Sequence, residues 1–114
     1  MKDRLYLLDN VFPDADLPGR SFYCRDCITL HGLLAAFPEC GEGLEVVRSA
    51  FPRPRAKVIE HLGEAHQWLP VLVFAPDAPA ELADAEHDGV RFVTDMKCLL
   101  HALHVRHGFP EAHP

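Results

Sequence analysis

Short apolar runs separated by proline- and glycine-rich breaks organise this chain. Leu5-Tyr6-Leu7-Leu8 is continuously apolar and closed by Asp9-Asn10, which predicts a strand buried on both faces. From Val11 to Ser21, Pro13, Pro18 and Gly19 with Asp14 and Asp16 break every period, so a long loop is expected. Ile28, Leu30, Leu33, Leu34 and Phe37 then fit one face of a helix that opens at Cys27 and is stopped by Pro38. Gly41 and Gly43 turn the chain into Leu44-Glu45-Val46-Val47-Arg48, a second strand running on towards Phe51. Pro52 and Pro54 end it. Pro54 suits the first turn of a short helix that carries Val58, Ile59 and Leu62 and closes at Gly63. Leu69-Pro70-Val71-Leu72-Val73-Phe74 is the strongest strand signal, with its proline fitting only at the start or on an edge. Ala75 to Gly89 reads as loop with one turn of helix around Ala80 to Ala85. Val90 to Val93 alternates as a strand, and Thr94 or Asp95 caps a last helix whose stripe is Met96, Leu99, Leu100 and Leu103, ended by Gly108 and Pro110. The order βαβαββα has no repeat and no linker. It predicts one α/β domain over residues 1–114, with four strands.

Composition narrows the functional classes. Apolar residues are 48% and charged residues 25% of the 114, ordinary globular proportions that fit one buried core. A formal net charge of -6, with only Arg48, Arg53, Arg55 and Lys57 grouped, argues against a nucleic-acid surface. No segment approaches the roughly 20 apolar residues of a membrane span, and Met1-Lys2-Asp3-Arg4 leads into too short an apolar run for a signal sequence. A cytoplasmic protein is expected, without nucleic-acid or membrane partners. In a reducing compartment the four cysteines are not a structural disulfide framework, so a close pair reads first as redox-active or metal-binding.

That pair lies in Phe22-Tyr23-Cys24-Arg25-Asp26-Cys27, at the start of the first predicted helix. A thiol there gains reactivity, because the positive end of the helix dipole stabilises a thiolate. Arg25 should add to this effect and Asp26 oppose it. Exchange with a disulfide needs an accessible thiolate and a second thiol to resolve the mixed disulfide, and Cys24 with Cys27 can supply both. A rival reading adds His31, one turn beyond Cys27, as a third ligand to structural zinc. No second ligand pair follows, and Cys40 and Cys98, isolated among apolar neighbours, read as buried packing residues. The expected site therefore contains no metal. His101 and His104 read as a solvated helix face, His107 as a complement to the helix dipole, and Arg53 and Arg55 as solvated charges more readily than as an anion site. Trp68 fits either the core or an apolar wall beside the dithiol.

Cys24-x-x-Cys27 opening the first helix, Leu69-Pro70 opening the third strand and Thr94-Asp95 opening the last helix resemble a thioredoxin-like domain, over nearly the whole chain, which implies a mixed four-stranded sheet flanked by helices on both faces. The Leu69-Pro70-Val71-Leu72 run and the polar pair at the last helix are closer to glutaredoxins and glutathione-transferase N-terminal domains than to thioredoxin. Phe22-Tyr23-Cys24, Phe51-Pro52-Arg53-Pro54-Arg55 and His107-Gly108-Phe109-Pro110 are also similar to a small uncharacterised bacterial family, a domain of unknown function. The thioredoxin-like resemblance implies a thiol-disulfide oxidoreductase with Cys24 as nucleophile and Cys27 as resolving thiol. It further implies a cis Leu69-Pro70 bond facing the nucleophile, and a substrate or glutathione site formed by Tyr23, Arg25, Leu69, Pro70, Thr94 and Asp95. No cofactor is then tightly bound; glutathione or a protein disulfide is the expected partner. A non-catalytic module binding glutathione or a protein is the alternative, followed by a zinc-stabilised domain. Two features depart from the pattern: the long loop before Cys24, and the intervening pair Arg25-Asp26.

Overall fold

The computed structural model describes all residues from Met1 to Pro114. Strand β1 (Asp3–Leu8) lies inside the sheet, with Leu5, Tyr6, Leu7 and Leu8 all buried, as continuous apolarity requires of a strand covered on both faces. Two minimal strands, β2 (Phe12–Pro13) and β3 (Ser21–Phe22), pair antiparallel inside the loop that precedes the dithiol. Helix α1 (Arg25–Ala36) follows, then a turn of 3₁₀ helix at Cys40–Gly43 and strand β4 (Leu44–Ser49). Helix α2 (Ala56–Leu62), strand β5 (Val71–Val73), a 3₁₀ turn at Ala80–Leu82, the hairpin β6 (Ala85–His87) and β7 (Val90–Val93), and helix α3 (Met96–His107) complete the chain.

The sheet is mixed and has five strands in the order β4-β1-β5-β7-β6. β1 runs parallel to β4 and antiparallel to β5, and β7 is antiparallel to both β5 and β6. The expected number was four. The added edge strand falls in the stretch read as loop, because Ala85-Glu86-His87 has none of the branched or aromatic residues that favour strands. Its turn is what makes it: Asp88 (φ 48°) and Gly89 (φ 80°) both occupy the left-handed region that a tight two-residue hairpin needs. Boundaries shifted for similar local reasons. Pro54, joined to Arg53 by a cis peptide, precedes α2 instead of opening it, and Arg55 takes the cap position. Leu69-Pro70 stands just outside β5, which begins at Val71.

Helices cover both faces. The odd positions of β1 face α3, since the Asp3 carboxylate receives Arg106 and His107, whereas the even face carries Tyr6 against His61 of α2. α1 lies beside α3, with Leu33 and Phe37 across a groove from Leu100. Asp3 is the main polar tie of the core. Its side chain has no exposed surface and accepts from Ala75 N (2.8 Å), from Arg106 Nε (2.6 Å) and Nη2 (2.8 Å), and from His107 Nε2 (2.8 Å), joining the first strand to the last helix. Burial on its own raises a carboxyl, but the bonds from His107, Arg106 and Ala75 overcome it and hold Asp3 well below the usual carboxylate range. His107, expected only to complement the helix dipole, is a partner in this cluster. Its neighbour His104 donates Nδ1–H to Phe109 O (2.8 Å), and Gly108 ends α3 in the left-handed conformation (φ 73°).

Candidate functional site

The first turn of α1 places two thiols in opposite environments. Cys24 is the N-cap, with extended backbone (φ -77°, ψ 124°) and a sulfur that accepts from Cys27 N at 3.3 Å, filling the role more usually taken by Ser or Asp. It remains partly exposed. Cys27, three residues on, points inward beneath the end of β1, is 1% exposed, and accepts from Leu8 N at 3.4 Å. Burial pushes its thiol up to about 12; the Leu8 N–H opposes this and Cys24 adds to it. All four cysteines are free thiols.

Cys24 opens on a cleft of about 380 Å³. Leu8, Phe12 and Leu69 form its floor and Phe51 and Trp68 its apolar walls, with Phe12 and Phe51 stacked at 4.7 Å between centroids. Trp68 is a wall and not core, at 61% exposure. The Leu69-Pro70 peptide is cis, and Leu69 shares the cleft with Cys24. The β5–β7 register pairs Leu72 with Val93, so Pro70 and Thr94-Asp95 sit at the same end of the sheet.

Three arginines and one carboxylate, Arg25, Arg53, Arg55 and Asp26, make the polar lining of this cleft. The expectation of solvated charges holds for Arg53, which is exposed, and fails for Arg55, which is 7% exposed. Arg55 donates Nε–H and Nη2–H to Phe51 O (3.1 and 2.7 Å) and Nη1–H to Gln67 O (2.7 Å), while its backbone N donates to Gln67 Oε1 (2.9 Å). It thus ties the segment after β4 to the segment before β5. Burial and the neighbouring Arg53 hold its guanidinium below the ordinary value, with the thiols opposing. Its place between two proline-interrupted segments left no periodic signal by which burial could be read.

The other expected site residues are placed unequally. Arg25 lines the cleft beside Cys24; Tyr23, though adjacent in sequence, projects into solvent at 61% exposure and does not line it. Thr94 and Asp95 do not line it either. Asp95 caps α3 by accepting from Cys98 N (3.0 Å), which also holds its carboxyl below the usual range. The backbone N–H groups of Thr94 and Asp95 are engaged by Asp84, whose carboxylate accepts from Thr94 N (3.1 Å) and Asp95 N (3.0 Å). Asp84 carried no sequence signal, because it lies in an irregular stretch and acts through tertiary contact.

No group of three or more His, Cys, Asp or Glu side chains is placed to hold a metal ion. His31, weighed as a third ligand beside the cysteines, instead donates Nε2–H to Leu8 O (3.2 Å) and accepts from Arg48 Nη2 at Nδ1 (3.2 Å). Cys98, expected to be buried, is exposed, because the inward stripe of α3 runs through Leu99 and Leu103; Cys40 is half-buried with its thiol 3.6 Å from Gly108 O. No helix is long and apolar enough to cross a membrane.

No curated protein and no solved structure is significantly similar to this chain. Residues 2–111 match the family model described as "Protein of unknown function (DUF3088)", and the chain belongs to that family.

Proposed function

We propose that this protein is a thioredoxin-like thiol-disulfide oxidoreductase in which Cys24 attacks and Cys27 resolves. The observation that carries the reading is the contrast within one helical turn, an accessible N-cap thiol at the mouth of a cleft and a buried thiol beneath it. The mixed sheet with helices on both faces, and the dithiol carried on the helical connection that joins the paired parallel strands β1 and β4, support the thioredoxin-like part.

In the reaction, the Cys24 thiolate attacks one sulfur of a substrate disulfide, forms a mixed disulfide and releases the other sulfur as a thiolate that takes up a proton. Cys27 then loses its proton and attacks the Cys24 sulfur, releasing the second thiol. Two electrons pass from the dithiol to the substrate, leaving Cys24 and Cys27 joined, and an external thiol restores them. Helix α1 favours the first step, since a thiolate at the N-cap faces the Cys27 N–H and the positive end of the helix. The partner is a protein disulfide or glutathione. Asp84 on the Thr94 and Asp95 amides favours the former, because a glutathione carboxylate bound there has first to displace it.

The test is reduction of a protein disulfide, followed by mass spectrometry of the trapped complex. Cys24→Ser should abolish reduction, and Cys27→Ser should retain one mixed disulfide per chain at Cys24. Undiminished turnover in Cys24→Ser would sink the proposal.

A further inference from the structure

We propose that the cleft beside Cys24 contains a carboxylate-binding subsite built on Arg55, so that the disulfide it takes carries a carboxylate close to the reacting sulfur. The inference rests on Cys24 being the exchanging thiol and goes beyond that reading in naming the chemistry of the substrate.

Arg55 is a buried cation with no anionic partner in the chain. Its hydrogen bonds go to the Phe51 and Gln67 carbonyls, and no carboxylate forms an ion pair with it. Burying a guanidinium is costly unless a charge partner compensates, and carbonyl dipoles compensate only in part. Of its five N–H groups these bonds use three, leaving one on each terminal nitrogen. The lining of the cleft that includes Arg55 also includes Arg53 and Arg25, against the single carboxylate of Asp26, in a chain whose net charge is -6. A local excess of positive charge in an otherwise acidic protein focuses attraction for anions on this cleft. Among anions the planar carboxylate suits a guanidinium best, because it can accept two N–H groups at once. The Phe51 ring, whose centroid lies 5.6 Å from the Arg55 guanidinium carbon, gives such a pair an apolar side that strengthens it.

The experiment compares two disulfides on the Cys40→Ser/Cys98→Ser protein, which keeps only the reacting pair: dianionic 5,5′-dithiobis(2-nitrobenzoate) and neutral 2,2′-dithiodipyridine. The ratio of their rates at Cys24 should exceed that of the same chain in denaturant by about tenfold or more, the effect of one charge-assisted hydrogen bond. The excess should shrink in salt and in Arg53→Gln, vanish in Arg55→Met, and survive only in part in Arg55→Lys, which keeps the charge but not the two-point geometry. The folded protein's own ratio is decisive if Arg55→Met fails to fold. Reaction with the neutral disulfide and resolution by Cys27, with a ratio no higher than in denaturant, overturns the subsite and leaves the oxidoreductase reading standing. Loss of exchange with both reagents overturns that reading and the subsite with it. Two further pairs identify the carboxylate's source: oxidised glutathione against its ethyl ester, and a disulfide-linked Asp-Cys peptide against its Asn-Cys counterpart. Preference for the acidic member of either pair supports the subsite; indifference in both overturns it.

Discussion

Cys27 should be among the least reactive thiols in the chain although it lies three residues from the proposed nucleophile. Its titration is moved from 9.0 up to about 12, chiefly by burial. At about pH 8 a three-unit rise leaves about a thousand-fold less thiolate than an ordinary cysteine carries. The more basic sulfur is also the better nucleophile; with a Brønsted coefficient of about 0.4–0.5 it regains roughly 20-fold, so the net loss is roughly 50-fold. Steric closure adds to that, because only 1% of Cys27 is accessible. The perturbation is a pulse of iodoacetamide on the reduced Cys40→Ser/Cys98→Ser protein, quenched at intervals, with each cysteine's modification read by peptide mass spectrometry. Cys24 should be modified first and Cys27 at least about 50-fold more slowly than in the same chain unfolded in guanidinium, where both are ordinary thiols. Equal native and denatured rates at Cys27 would show that burial does not control this thiol, and would remove the basis for assigning it the second step.

The Asp3 cluster gives the largest stability effect. Asp3→Ala leaves Arg106, His107 and the Ala75 N–H without their buried acceptor and should cost about 3–5 kcal/mol in urea unfolding, against a loss under about 1 kcal/mol if the cluster were only decorative. Because the native carboxyl is held below its unfolded value of about 3.9, its contribution is fully present above that pH and is lost as pH falls through the depressed native value. Acid unfolding of Asp3→Asn should lack this component. His31 should titrate below its ordinary value of 6.5, through burial and secondarily through Arg48, and its NMR midpoint should rise in Arg48→Ala; an unchanged midpoint would count against the Arg48 contact. Removing the Asp84 carboxylate in Asp84→Ala should speed hydrogen exchange at the Thr94 and Asp95 amides while leaving alkylation of Cys24 unchanged.

Much of the α/β organisation is legible in the sequence because its elements announce themselves by different signals. β1 is a continuous apolar run, α3 carries Asp95 at one end and Gly108 at the other, and β5 is a dense branched segment. β6 escaped because its residues have little strand preference and exist as a strand only by pairing with β7; the Asp88-Gly89 turn was the available clue. The thiol pair was legible from spacing alone. What spacing could not give was the company it keeps: Arg55 and Phe51 come from beyond β4, Phe12 from the early loop and Trp68 from before β5, brought together by the fold. The buried state of Arg55 and the contact of Asp84 with Thr94-Asp95 are likewise tertiary, since neither residue shows a local period, cap or turn preference that sets it apart.

On the proposed mechanism, the two cysteines divide the work because the start of a helix offers two distinct environments at this spacing. The N-cap residue stands outside the first turn, so the sulfur that accepts from Cys27 N is also the one facing the cleft; a thiolate is a better acceptor than a thiol, and capping and reactivity reinforce each other. The third residue of the turn faces inward against the end of β1, where Leu8 N–H is the donor that steadies its sulfur while burial resists its ionisation. Attack by Cys27 therefore needs something to overcome that resistance, and the mixed disulfide at Cys24 supplies part of it. Once Cys24 is bonded to another sulfur it carries no charge to repel a second thiolate, and the Cys24 contribution that raised Cys27 falls away. On that mechanism Cys27 is quiescent before Cys24 has captured a substrate and is relieved of one restraint afterwards, an ordering of the two steps that would follow from one helical turn and its burial against β1.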